Sequence, residues 1–203
     1  MDLRAVGDSE SRFSAYVEGL VSVIGHADRA NPLRDYCTGL MMPCERKSVE
    51  AMAAVTAPGR TAAQHQSLLH FVGNATWSDE NVLAKVREMV LPAIERHGPI
   101  EAWIIDDTGF PKQGKHSVGV ARQYCGQLGK SDNCQAAVSL SVSTWNSSLP
   151  VAWRLYLPDV GCQHAERCRQ AGVPAGTGFK PKREIAGERI RQHNRRGNSR
   201  NSS

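Results

Sequence analysis

The sequence Ala102-Trp103-Ile104-Ile105-Asp106-Asp107-Thr108 gives the clearest strand signal in the chain. Its first four residues form a continuous apolar run, a pattern typical of a strand that is buried on both faces of a sheet. The predicted strand ends in two carboxylates, which are costly to bury unless a cation lies beside them. Carboxylate oxygens are ligands that Mg²⁺ accepts, as at phosphoryl-transfer sites. The segment therefore predicts either a metal site or, more simply, a turn that begins with two aspartates.

Two more strands are predicted downstream, because apolar and polar side chains alternate strictly over residues 138–143 and again over residues 151–157. The sequence Asn146-Ser147-Ser148 between them is typical of a turn. We therefore expect residues 135–143 and 150–157 to pair as an antiparallel hairpin, in the same sheet as residues 102–107.

The first hundred residues have helical periodicity instead. Ser78 is the expected N-cap of the last predicted helix, Thr61 is that of the helix before it, and Pro92 should kink the last helix. The predicted helices cover residues 13–24, 45–55, 61–72 and a segment that begins after Ser78. The predicted fold class is α+β, with a helical region over residues 1–98, a sheet domain over residues 99–190 and a disordered basic tail over residues 191–203.

Composition narrows the class of protein. No apolar run approaches the roughly 18 residues of a membrane span, and no secretory signal is recognisable, so we expect a cytoplasmic protein with reduced cysteines and no membrane partner. The net charge of +5 is concentrated at one end, since residues 1–179 hold 17 basic and 18 acidic residues and residues 180–203 hold 8 and 2. Cys162, His164 and Cys168 lack an evident fourth zinc ligand.

Residues 109–130 are rich in glycine and basic side chains. Such a segment is either a plain surface loop or a surface that contacts phosphates, because cations on a flexible loop recognise the nucleic-acid backbone rather than the bases. The candidate DNA-binding residues are Lys112, Lys115, Arg122 and Lys130. Gly114-Lys115 is not part of a phosphate-binding P-loop, because the upstream glycine and the strand-to-helix context are missing.

Longer motifs add a resemblance. The string IIDDTGFPKQGKHSVGVARQYCGQLGKSDNCQAAVSLS resembles the core of insertion-sequence transposases of the DDE-superfamily endonuclease type. PCERKSVEAMA and RTAAQHQSLLHFVGNATWSDE resemble the helical N-terminal region of that family, and LPVAWRLYLP, AGVP and KPKREIA continue the similarity. It covers roughly residues 10–190.

The resemblance implies a ribonuclease-H-like fold whose metal-dependent site, with Mg²⁺ or Mn²⁺, cleaves and joins DNA at transposon ends. It places the first catalytic and metal-binding aspartate at Asp107. Asp106 is the alternative, because a shift of one residue along a strand exchanges its faces.

The chain departs from the family's pattern after KPKREIA, where family members continue into another apolar strand that ends in a second aspartate. Here the sequence runs into HNRRGNSRNSS instead, and Asp159 is a poor substitute for the missing partner. We therefore expect a truncated transposase fragment that is catalytically incompetent, with a full-length transposase or a second copy of the chain as partner. The alternatives are a dominant-negative partner of an intact transposase and a non-catalytic DNA-binding protein that uses residues 45–55 and 61–72 as a helix-turn-helix.

Overall fold

A computed structural model describes residues 3–114, 117–158, 165–171, 173, 178–185, 187–188 and 191. Lys115, Asp159, Cys162, His164 and the basic tail beyond residue 191 therefore lie outside the described residues. The chain divides into two compact units, residues 1–93 and residues 94–203. None of the helices within the described ranges is long and apolar enough to cross a membrane.

The first unit is helical, as predicted. Ser48 and Ser78 cap their helices, since their hydroxyl oxygens accept hydrogen bonds from the backbone N–H groups of Ala51 (3.5 Å) and Asn81 (3.2 Å). The helices are α1 (Leu3–Val21), α2 (Ala30–Met41), α3 (Val49–Thr56), α4 (Thr61–Gly73) and α5 (Asp79–Glu95), the last of which extends into the second unit.

Three details of the helical prediction are wrong. Helix α1 ends at Val21 rather than Ile24, and α2 was not predicted. Thr61 is the first residue of α4 and not its N-cap, because its backbone is already helical (φ −49°, ψ −44°), and its hydroxyl donates to the carbonyl of Pro58 in the preceding 3-10 turn (3.3 Å). Helix α5 contains Pro92 in its last turn, and the kink expected there stays a prediction.

Two clusters of buried side chains hold the first unit together. Met52, Ala53 and Leu68 join α3 to α4. The second cluster is formed by Leu20, Ile24, Leu33 and Phe71. Burying a large aliphatic or aromatic side chain stabilises a fold by about 1.5–3 kcal/mol, so these contacts account for the packing of short helices that would not be stable alone.

The second unit contains the sheet, in which all pairings between described strands are antiparallel. Its strands are β1 (Ala102–Pro111), β2 (Ala121–Cys125), β3 (Lys130–Ser143) and β4 (Ser148–Tyr156). Strand β3 lies between β1 and β2, and β4 also pairs with β3. The predicted hairpin and its place in the same sheet as residues 102–107 are confirmed, and so is the α+β class.

The environment of β1 differs from the prediction. Ile104 and Ile105 are 43% and 48% exposed, so the strand is not buried on both faces. Within the described residues, β3 is the only strand with a ladder to β1. The apolar run correctly indicates a strand. It does not indicate whether other elements cover the faces of that strand.

The two aspartates do not end the strand. Thr108 to Pro111 continue the ladder with residues 134–137 of β3, so that Asp106 and Asp107 lie in mid-strand. Residues 109–130 are likewise not one loop, because β2 and a 3-10 turn (Gly126–Leu128) form part of that segment.

One face of the sheet carries the candidate site. Asp107 is in register with Val138, and Val138 with Arg154, so these three side chains form a row across β1, β3 and β4. A short helical segment at residues 182–185 contributes Ile185, which packs on Val138 and Tyr156 of the same face. A second short helix, α6 (Ala165–Gln170), precedes it in the chain. Among the described cysteines, Cys37, Cys44, Cys125 and Cys134 form no disulfide bond.

Candidate active site

Asp107 lies at a shallow cleft on the sheet, and a lysine contacts its carboxylate. The Lys182 ammonium donates to Oδ2 of Asp107, with 38% of the lysine side chain and 48% of the aspartate side chain exposed. The cleft has a volume of about 410 Å³ and is lined by Ile105, Asp106, Asp107, Val138, Lys182 and Arg183. The site is open enough for a charged group of another molecule to reach Asp107.

The two neighbouring aspartates are placed differently. Oδ1 of Asp106 accepts a hydrogen bond from the backbone N–H of Asp107 (2.8 Å), and the Asp106 carbonyl accepts one from the Ser139 hydroxyl (3.4 Å). Successive strand residues face opposite sides of a sheet. Asp107 is therefore the aspartate that shares a face with Val138 and Lys182.

Residues 178–185 and 187–188 hold Lys182 in place through several contacts with the sheet. Ile185 is 2% exposed, and the rings of Phe179 and Tyr156 meet edge to face at 6.2 Å. The Lys182 ammonium lies 5.3 Å from the centroid of the Tyr156 ring, within range of a cation–π attraction. The segment is thus attached to β3 and β4 on both sides of Lys182.

A second ion pair fixes the far end of this segment. The Glu188 carboxylate accepts from Lys180 and, at 3.2 Å, from Arg154 of β4. The hydrogen bond from Lys180 lowers the pKa of Glu188 below its ordinary value of 4.5, and the charge of Arg154 acts in the same direction. Glu188 therefore connects its own segment to the sheet.

The residues of this cleft do not by themselves fit a divalent metal ion. Among the side chains that the structure describes, no three of the types His, Cys, Asp and Glu converge as a metal-binding set. Asp107 supplies one carboxylate, and Lys182 already contacts it. Since Mg²⁺ keeps most of its waters unless several ligands converge, this arrangement alone is not a complete metal centre.

The predicted DNA-binding residues lie at another part of the sheet. Lys112 follows β1, and its backbone N–H donates to the Asn133 carbonyl (2.9 Å). Arg122 lies in β2, where it is in register with Asn133 of β3. Asn133 is five residues from Val138 along β3, which is about 17 Å in an extended strand. The structure thus brings Lys112 and Arg122 together, away from Asp107.

Lys130 begins β3 and forms an ion pair with Asp132 (3.1 Å). The pKa of Asp132 is lowered mainly by a hydrogen bond from the backbone N–H of Asn133 and next by the one from Lys130. Lys115 is outside the described residues. Part of the positive charge of this region is therefore neutralised by a neighbouring carboxylate.

The residue that the sequence analysis missed is Lys182. The similarity of KPKREIA to the family marked its segment, but 75 positions separate Lys182 from Asp107 in the chain. The sequence does contain a signal for this segment: the apolar Ile185 among basic residues indicates that one side of the segment packs against other parts of the protein.

The helix pair proposed as a helix-turn-helix is a packed core element. Besides the apolar contacts between α3 and α4, the buried Gln64 of α4 donates to the Asp35 carboxylate of α2 (2.8 Å). Helix α4 has the sequence TAAQHQSLLHFVG and contains no Arg or Lys. That composition is poor for contacts with phosphates.

Comparison with known proteins identifies the class. A family model described as DDE superfamily endonuclease matches residues 19–201 of the 203, and the chain belongs to this family. The chain is similar to a curated protein of Microchaete diplosiphon named "Probable transposase for insertion sequence element IS701", with 28% identity over 131 residues. The alignment covers 64% of this chain and 33% of that protein, so the chain spans about a third of its relative. No solved structure matches. The resemblance to insertion-sequence transposases is confirmed.

Proposed function

We propose that this chain carries one part of the active site of an insertion-sequence transposase that cleaves and joins DNA strands at transposon ends. Asp107 is the first catalytic carboxylate of this site. The observation that carries the proposal is its position: in a chain of the DDE endonuclease family, Asp107 lies on an accessible sheet face beside Lys182 and Arg183. Asp106 is the alternative on the same strand.

The sheet supports a ribonuclease-H-like architecture. The strand that bears the candidate aspartate pairs antiparallel with β3, and β3 forms a hairpin with β4. In the family this arrangement precedes the strands that deliver the other carboxylates. The metal that the family uses, Mg²⁺ or Mn²⁺, would stabilise charge on the reacting phosphate when bound.

The chain's own residues account for binding rather than for cleavage. Lys182 and Arg183 at the cleft, and Lys112, Lys115, Arg122 and Lys130 elsewhere in the second unit, supply cations that attract DNA phosphates independently of base sequence. A single carboxylate does not hold two metal ions in register for in-line attack. We therefore propose that this chain does not cut DNA alone.

A cleavage assay on the element's own ends tests this proposal. The wild-type chain is compared with Asp107→Asn and with Asp106→Asn as the matched control, each with Mg²⁺ and with Mn²⁺. We expect no metal-dependent cutting by any of the three. Cutting that is lost in Asp107→Asn and kept in Asp106→Asn would support the role of Asp107 and contradict the proposed incompetence.

The role of Asp107 has a separate readout. Mn²⁺ is paramagnetic and broadens the NMR signals of nuclei near its binding site. We expect weak, saturable broadening of the amide signals of residues 106–108 in the wild type, and its loss in Asp107→Asn but not in Asp106→Asn. Equal broadening in the two variants would remove Asp107 from the proposed site.

The second candidate function is that of a non-catalytic partner of an intact transposase. It is favoured by the exposure of Ile104 and Ile105 on β1, for which β3 is the only ladder partner in the described part of the chain. A strand with an unpaired edge can accept a strand from another chain. Co-purification with an intact family member, and inhibition of its cleavage activity, would distinguish this function from simple DNA binding.

A further inference from the structure

Basic side chains collect on the sheet face that holds Asp107. The basic segment, residues 178–185 and 187–188, packs on this face through Ile185 and Phe179. The cations here come from the segment and from β4, and they include Lys180, Lys182, Arg183 and Arg154. A concentration of cations on one accessible face attracts polyanions such as nucleic acid.

Glu188 occupies two of these cations. Lys180 donates to its Oε1 and Arg154 to its Oε2, the latter at 3.2 Å. The hydrogen bond from Lys180 lowers the pKa of Glu188, and the charges of Lys180, Arg154 and Arg191 lower it further. Lysine and arginine donate to carboxylates and to phosphates alike. Glu188 therefore has the position that a DNA phosphate would take between Lys180 and Arg154.

The ion pairs of Glu188 can be reached from solvent. The three side chains that form them are between 23% and 33% exposed. The attachment of the basic segment does not depend on Glu188 alone, because Ile185 is 2% exposed and the Phe179 ring meets the Tyr156 ring at 6.2 Å. Glu188 can therefore give up its two partners while the segment stays on the sheet.

We propose that this face binds the DNA backbone and that Glu188 is an internal competitor, which occupies Lys180 and Arg154 until a DNA phosphate takes its place. The inference rests on the DNA binding of the proposed function and names a surface for it. The exchange is accessible because a partly exposed ion pair contributes little to stability, whereas each phosphate that the chain neutralises releases counter-ions from the DNA. Since phosphates carry no base sequence, this face should bind DNA of any sequence.

The test measures the affinity of the full chain for a fluorescent DNA duplex of arbitrary sequence, at one salt concentration. The variant is Glu188→Gln, which removes the charge and keeps the shape of the side chain and one acceptor oxygen for Lys180. The matched control is Glu184→Gln, which removes the same charge from an exposed carboxylate of the basic segment that forms no ion pair among the described residues. We expect Glu188→Gln to bind the duplex about fivefold more tightly than the wild type, as for the release of one ion pair. Glu184→Gln should change the affinity by less than about twofold.

A double-mutant cycle shows whether Glu188 acts through its two partners. The double variant Arg154→Met/Lys180→Met should bind the duplex more weakly than the wild type. In that background Glu188→Gln should have no larger effect than Glu184→Gln, because the cations that it would release are gone. Equal effects of the two glutamate substitutions in the wild-type background would overturn the inference. An effect of Glu188→Gln that is undiminished without Arg154 and Lys180 would overturn it as well.

Substitution of Lys112 and Arg122 separates this failure from a failure of the proposed DNA binding. If Lys112→Ala/Arg122→Ala weakens binding while Glu188→Gln behaves as its control does, DNA binds the second unit and Glu188 does not compete with it. If none of these substitutions changes the affinity, the DNA binding proposed for this unit fails too.

A measurement on the wild-type chain covers the case in which Glu188→Gln does not fold. With lysine labelled at ¹³Cε, the Lys180 signal is identified by its absence from the spectrum of Lys180→Met. We expect this signal to shift when the duplex is added. The signal of Lys85, which pairs with Glu88 of its own helix (2.7 Å), should stay in place. A Lys180 signal that is unchanged at saturating DNA would refute the exchange.

Discussion

Replacing Ile185 with Ala should detach residues 178–185 and 187–188 from the sheet without unfolding the sheet itself. Ile185 is 2% exposed and packs on Val138 and Tyr156. Ile→Ala substitutions in cores lower the free energy of unfolding by about 2–5 kcal/mol. We expect the low end of this range, because the cluster is small and the partly exposed Tyr156 lies at its edge. A loss of about 2 kcal/mol raises the detached population about thirtyfold.

Native-state hydrogen exchange measures this population amide by amide. The backbone N–H groups of Glu184 and Ile185 donate to the Pro181 carbonyl (2.9 and 3.1 Å) and report the detachment of the short helix. Their exchange should accelerate about thirtyfold, whereas amides in the β1–β3 ladder, such as Leu140, should keep their protection.

The matched control is Ile104→Ala, which deletes the same atoms from a side chain that is 43% exposed. This substitution should change the free energy of unfolding by less than about 1 kcal/mol, as for most substitutions at exposed positions. Unchanged exchange of Glu184 and Ile185 in Ile185→Ala would refute the attachment of this segment. Equal acceleration of Leu140 would show that the segment and the sheet unfold together.

Three further predictions follow from named charges and exposed side chains. The pKa of Glu188 is lowered in the folded state, so the stability that this carboxylate contributes should be present above pH 4.5 and lost as the pH falls through the folded pKa. The unfolding temperature should therefore depend less on pH, between pH 7 and 3, in Glu188→Gln than in the wild type. Lys112, Lys115, Arg122 and Lys130 are replaced with Ala in a chain without residues 192–203. The slope of log DNA affinity against log salt should then become shallower by about 0.9 for each phosphate that the chain no longer neutralises. An unchanged slope would exclude contact of these four residues with DNA. Ile104→Lys should reduce self-association in sedimentation measurements, because a charge on an exposed edge strand opposes pairing with a second copy; equal association of wild type and variant would mean that β1 is not the contact.

Much of the fold could be predicted from side-chain periodicity. The β3–β4 hairpin follows from strict alternation, which only a strand with one buried face satisfies over so many residues. Helix α2 was missed although Leu33, Tyr36, Cys37 and Leu40 have helical spacing. Its sequence also contains a proline and a glycine that suggest interruptions. Pro32 lies in the first turn, where it is tolerated, and a Cβ on Gly39 would lie 2.8 Å from the Met52 Cβ. That glycine therefore permits the close approach of α2 and α3.

The candidate site could be predicted only in part. Asp107 follows from its place after an apolar run and from the family resemblance. The exposure of β1 could not be predicted, because an apolar run does not show how many strands will cover it. The sequence indicated that the segment around Lys182 packs on something, but the contact of Lys182 with Asp107 could not be predicted, since it depends on how a distant segment packs on the face formed by Val138, Arg154 and Tyr156.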